Sequence, residues 1–142
     1  MLGGVVIPHS KGLQGHSDGD ALLHAVTDAV LGAAGLGDIG QLFPDTDPKI
    51  KGISSSLMLK KALGEAAKRG WRVENVDTVI LAEEPKIGPH REVIRATLAK
   101  LLGVTAGQVG IKAKTMEGLG PIGEKKAVGA YSVVLMRKKG RK

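Results

Sequence analysis

The chain of 142 residues has no cysteine and only one each of tryptophan, tyrosine and phenylalanine. Without cysteine there are no disulfides and no thiolate metal sites, and the composition suits a reducing, cytoplasmic setting. Aromatics at 2% leave few platforms on which single-stranded nucleic acid could stack. No apolar run approaches the roughly 20 residues of a membrane span, and no charged-then-apolar leader is visible. The expectation is a soluble cytoplasmic protein with no membrane partner. Acidic charge is also scarce at the end. The last six residues, "RKKGRK", carry five cations of the formal excess of seven and no acid, so the rest of the chain holds +2. A basic tail from about residue 137 reads as a solvated terminus, and a nucleic-acid partner is not expected.

What is present is enough apolar residue, 42%, to bury the core of one domain over 1–142. "GGVVIP" (Gly3 to Pro8) reads as a short strand stopped by proline. A first helix is expected from Ser17 or Asp18 to Ala34, ended by Gly35 and Gly37. "GDIGQLFPDTDPKIKG" is a loop. "SSSLMLKKALGEAAKRG" is an amphipathic helix with Leu57, Leu59, Leu63 and Ala66 as inward candidates. "WRVENVDTVILAEE" is a strand, and Pro89 opens a third helix closed by Gly103. "QVGIKAKT" and "AVGAYSVVLMRK" are two more strands, separated by a glycine-rich turn. The order β, α, α, β, α, β, β predicts an α+β sandwich, a mixed β-sheet with helices packed on one face. The last strand is apolar on both alternating sets, Tyr131, Val133 and Leu135 against Val128, Ala130, Val134 and Met136. Helices cover one set, and a partner subunit is the expected cover for the other.

Groups able to do chemistry cluster in three places. "HSDGDALLHAVTDAV" sets Asp20, His24 and Asp28 at four-residue steps, one turn apart on one helix face. That row is either a solvated stripe or a metal or phosphate site, and His24 is either a ligand or a buried structural histidine. Asp38, Asp45 and Asp47 crowd a loop where turn formation alone would explain each singly. "AEEPKIGPH" (Ala82 to His90) and "KAKTMEGLG" (Lys112 to Gly120) both leave strand ends, a common place for sites. In the second, Lys114 offers a charge, Thr115 a hydroxyl and Glu117 a carboxylate suited to Mg²⁺ on phosphates. The glycine, lysine and threonine order is not that of a P-loop.

"HSDGDALLHAVTDAVLGAAGLGDIGQLFPDTDP", then "PKIGPH", then "KAKTMEGLG", in that order, resembles the 2-C-methyl-D-erythritol 2,4-cyclodiphosphate synthase family of non-mevalonate isoprenoid biosynthesis. The likeness runs from Gly3 to about Met136. It implies a homotrimer with the sheets facing the threefold axis and three active sites between neighbouring subunits. It also implies the cyclisation of 4-diphosphocytidyl-2-C-methyl-D-erythritol 2-phosphate with release of CMP. By the resemblance His24 is a zinc ligand and Asp28 its supporting carboxylate. His16 and Ser17 contact phosphate, with His16 and Thr115 as the catalytic pair. Asp38, Ile39, Gly40, Phe43, Pro44, Asp45, Thr46 and Asp47 form the methylerythritol loop. Ala82, Pro85, Lys86, Ile87 and Gly88 form the cytosine pocket. Lys114, Thr115, Met116 and Glu117 bind the CDP phosphates, with Glu117 holding magnesium or manganese. The resemblance gives Asp20 no role.

Two departures from the family pattern bear on activity. The family opens with a strand carrying Asp-x-His, which completes the zinc site; the sequence here starts at Met1 beyond that motif. His9 is the nearest spare imidazole. The expectation that follows is impaired zinc binding and slow turnover, with the alternative reading of a truncated trimer that keeps cytidine-nucleotide binding. The second departure is "GPIGEKK", where Pro121 and Glu124 stand in place of the family's frequent Phe and Arg.

Overall fold

A computed structural model describes residues 1–8, 20–44, 46 and 53–139. The helices are α1 (Ala21–Ala33), α2 (Ile39–Leu42), α3 (Ser55–Lys68), α4 (Arg91–Leu102) and α5 (Gly120–Gly123), and the strands β1 (Trp71–Leu81), β2 (Val109–Lys114) and β3 (Gly129–Lys138). One-turn 3₁₀ helices precede α4 at Gly88–His90 and β2 at Ala106–Gln108.

The sheet is mixed, in the order β2-β1-β3. β1 and β2 run parallel from Val76↔Val109 to Leu81↔Lys114. β3 returns antiparallel along β1 from Gly129↔Leu81 to Lys138↔Trp71, with one irregularity between Val73 and Asn75. Parallel neighbours need a crossover, and α4 supplies it. Alternation along the strands then sorts the faces. Val76, Thr78, Ile80, Val109 and Ile111 are buried in a core shared with Leu22, Leu23, Val26, Val30 and Leu31 of α1, Leu59 and Ala62 of α3, and Ile94 and Leu98 of α4. Val128, Ala130, Val134 and Met136 pack against that core. The other set of β3 is bare: Tyr131, Val133 and Leu135 are 68%, 73% and 61% exposed. The expected α+β sheet with helices on one face is therefore present.

Two helix ends show their signals directly. Ser54 caps α3 by accepting from Leu57 N at 3.1 Å, and Gly103 ends α4 at φ 70°, a left-handed conformation glycine adopts without steric cost. Four expectations need correction. α1 begins at Ala21 and not at Ser17 or Asp18, because Asp20 is extended and caps it. The expected loop after Gly37 contains the short helix α2, which Asp38 caps. Gly3 to Pro8 is not a strand. Gly3 and Gly4 sit at φ 61° and 81°, a tight turn closed by the Leu2–Val5 bridge. In α3, Leu57 is exposed while Met58 is buried. The buried line runs Ser55, Met58, Leu59, Ala62, Ala66, and Leu57 lies about 100° off Met58 around the helix.

Asp20 explains the turn. Its fully buried carboxylate accepts from Gly3 N (2.9 Å), Gly4 N (2.8 Å) and Leu23 N (2.9 Å). It thus caps α1 and ties the opening turn to it, beside the positive end of the helix dipole. Asp20→Ala strands buried N–H donors and should cost about 2–4 kcal/mol, lowering the thermal midpoint by roughly 10 °C. A midpoint within a degree or two of wild type in a calorimetric scan would contradict this role.

Candidate functional site

The row Asp20, His24, Asp28 divides into three separate tasks. α1 turns Leu22, Leu23, Val26, Thr27, Val30 and Leu31 to the core, so the row lies along the edge of the buried stripe. Asp20 is the buried cap. His24, one turn on, is half-buried, and its Nε2 lies 3.0 Å from the Ser55 hydroxyl at the start of α3. Asp28 is exposed and its Oδ1 accepts from Ile39 N at 2.7 Å. The carboxylate expected to support His24 therefore anchors the first residue of α2. Asp38 caps the same short helix, accepting from Gln41 N at 2.9 Å. Phe43 is buried against Met58, Ile39 and Ile53, which pins the loop to α3. Gly40, Pro44 and Thr46 are exposed. His9, His16, Ser17, Asp45 and Asp47 lie outside the described residues.

A second group forms where β1 and β2 end side by side. Their parallel pairing puts both C-terminal ends at one edge of the sheet, and Ala82 N donates to Lys114 O at 3.0 Å just beyond it. Pocket-forming crevices are favoured at such ends because the two chains diverge there. One departing segment is Ala82 to Gly88. In it Ala82 and Ile87 are buried, Pro85 is half-buried, and Lys86 and Gly88 are exposed. The other is Lys114 to Gly118, exposed throughout. Glu117 N lies 3.4 Å from Thr115 Oγ1, and Glu117 takes a left-handed φ of 52°. Glu83 joins the two segments: its Oε1 accepts from Met116 N at 2.8 Å and Gly118 N at 3.3 Å. Sequence reasoning passed over Glu83 and Ser55, since both act on residues more than thirty positions away. A strand-end carboxylate followed by Pro85 was the available signal for Glu83. Of the departures noted above, Pro121 lies within the short α5, and Glu124 pairs with Lys126 at 3.0 Å on the surface.

As to metals, no three His, Cys, Asp or Glu side chains gather into a metal-binding group among the described residues. Those residues alone do not make a zinc site, since a catalytic zinc takes three protein ligands and His24 contributes one imidazole. Magnesium asks for less, one or two carboxylates with the rest of its shell from phosphates and water. Exposed Glu117 between strand-end backbone groups fits that requirement. No helix among the described residues is long and apolar enough to cross a membrane.

Known proteins resemble this chain over nearly its whole length. The model of the YgbB family matches residues 1–137. The 2-C-methyl-D-erythritol 2,4-cyclodiphosphate synthase of Bordetella avium (strain 197N) is 54% identical over 136 residues, covering 96% of this chain and 84% of that protein. The chloroplastic enzyme of the same name from Arabidopsis thaliana is 49% identical over 139 residues. The chain spans 98% of itself but 60% of the plant protein's length in that match. A solved 2C-methyl-D-erythritol-2,4-cyclodiphosphate synthase in its CDP-bound form superposes with a TM-score of 0.89 at 42% identity, covering 96% of this chain and 89% of that one.

Proposed function

Starting from a chain that belongs to the YgbB family, we propose that it is a cytoplasmic cyclodiphosphate synthase acting on 4-diphosphocytidyl-2-C-methyl-D-erythritol 2-phosphate. The observation that carries the reading is the pair of strand-end segments, Ala82 to Gly88 and Lys114 to Gly118, held side by side, with the second exposed throughout. An oxygen of the substrate's 2-phosphate attacks the β-phosphorus and forms the new P–O bond. The bond from that phosphorus to the bridging oxygen breaks, and CMP leaves with the electron pair. No protein nucleophile is needed, so the work is positioning and charge neutralisation. Backbone groups of Ala82 to Gly88 hold the cytosine. Lys114 and the Thr115 hydroxyl hold phosphate, and Glu117 would hold a magnesium ion, which spreads the charge of the two phosphates. Asp38 sits at the loop that receives the methylerythritol, capping α2 through Oδ1.

Zinc enters this reading only through His24, and the steps above use none of it. The trimer is the second part of the proposal. The bare row Tyr131, Val133, Leu135 on β3 is the surface another subunit covers, with the sheets toward a threefold axis and the active sites between subunits.

Calorimetry tests the pocket. CDP with Mg²⁺ should bind one per chain with Kd below about 1 mM, and absence of heat would remove the reading. Asp38→Ala should then separate the two halves of the ligand. Substrate binding should weaken by about tenfold or more, the loss of hydrogen bonding to a charged group, while CDP binding changes little. Equal loss for both ligands would restrict Asp38 to shaping its loop.

A further inference from the structure

The contact between Glu83 and the turn after β2 has a use that follows from where it lies. We propose that Glu83 is a positioning residue that locks the phosphate-binding turn to the base-binding segment and so sets the pocket for a nucleoside diphosphate; this rests on the reading given under Proposed function. Three observations carry it. First, Glu83 belongs to the segment that receives the base, next to buried Ala82, whereas both N–H groups it holds belong to the opposite segment. The sequence separations are 33 and 35 residues, so the link joins the two strand-end segments across the chain.

Second, the two donors are Met116 N and Gly118 N, which flank Glu117 on either side. Glu117 and Gly118 both stand at positive φ, 52° and 80°. A left-handed conformation is unfavourable for a residue with a Cβ. An acceptor that engages the amides before and after Glu117 holds the turn in that conformation. With the Glu117 backbone so fixed, its carboxylate is presented toward the diphosphate site without a backbone ordering cost at binding. Third, both hydrogen bonds go to a single oxygen, Oε1. The lock therefore needs an acceptor at that point more than it needs a negative charge, and an amide oxygen can serve.

The position also predicts which ligands feel it. A nucleoside monophosphate needs the base half and the nearer part of the turn. A diphosphate must engage both segments at a fixed separation. Releasing the turn should therefore weaken CDP more than CMP.

Titrate CDP and CMP, each with Mg²⁺, into the full chain and into Glu83→Ala and Glu83→Gln, and record thermal midpoints and amide exchange for each protein. Glu83→Ala should weaken CDP by about tenfold or more, with CMP within about twofold, and speed exchange at Met116 and Gly118. Glu83→Gln should restore CDP binding to within about threefold. CDP affinity unchanged in Glu83→Ala overturns the proposal. So does an equal loss for CDP and CMP, and so does a Glu83→Gln variant as weak as the alanine. If the wild-type chain binds no CDP, the functional reading falls first and this inference with it; if wild type binds and the variants do not differ, only the inference falls.

Discussion

Glu117→Gln should lower CMP release by about 100-fold or more, the equivalent of about 2.7 kcal/mol of transition-state stabilisation. The substitution keeps the size of the side chain and removes its charge. Glu117 is exposed on the turn after β2, and among the described residues no side chain engages its carboxylate. It has no side-chain partner to lose among the described residues, so folding should be unaffected. A divalent ion is worth several kcal/mol in such displacements, and the carboxylate that would hold it in this reading would be gone. The dependence of CDP affinity on Mg²⁺ should flatten in the same variant. A variant that turns over at the wild-type rate, with the same magnesium dependence, would place the ion elsewhere.

Val133→Glu should convert an assembled protein to monomers and abolish turnover. Val133 is the most exposed of the three apolar residues on the bare face of β3, between Tyr131 and Leu135. In a lone chain a charge there is solvated and harmless. In an assembly it enters the contact three times around the axis, and an unpaired buried charge costs several kcal/mol. The proposed site between subunits would be lost with the contact. Sedimentation velocity on both proteins decides it: wild type should run as a trimer and the variant as a folded monomer. A wild-type monomer at micromolar concentration, or a trimeric variant, would contradict the assembly.

What the sequence made legible follows from how far each signal reaches. Helix boundaries are local. The Ser54 cap and the stop at Gly103 sit beside the residues they control, and α3 and α4 are placed accordingly; α1 starts at Ala21, after the Asp20 cap, and not at Ser17 or Asp18. The double apolar pattern of β3 is also local, and its two faces divide into core and bare surface as the alternation requires. The opening segment "GGVVIP" has strand composition but forms a turn. A carboxylate 16 and 17 residues away holds its two glycine amides in a turn. The same limit applied to the site. The contacts between segments cannot be read from spacing. Asp28 bonds Ile39, His24 meets Ser55 across 31 residues, and Glu83 reaches Met116 across 33. Each depends on how α1, α3 and the sheet pack. Packing decided which of several nearby polar groups became the partner.

The central claim, that this chain closes a cyclic diphosphate and expels CMP, is tested most directly by phosphorus NMR of the full protein with the diphosphocytidyl substrate and divalent metal. The account predicts that substrate resonances decay as those of CMP and a cyclic diphosphate grow in equal amounts, with no inorganic phosphate. Substrate that stays intact beside folded, CDP-binding protein, or that is hydrolysed to linear phosphates, would contradict it.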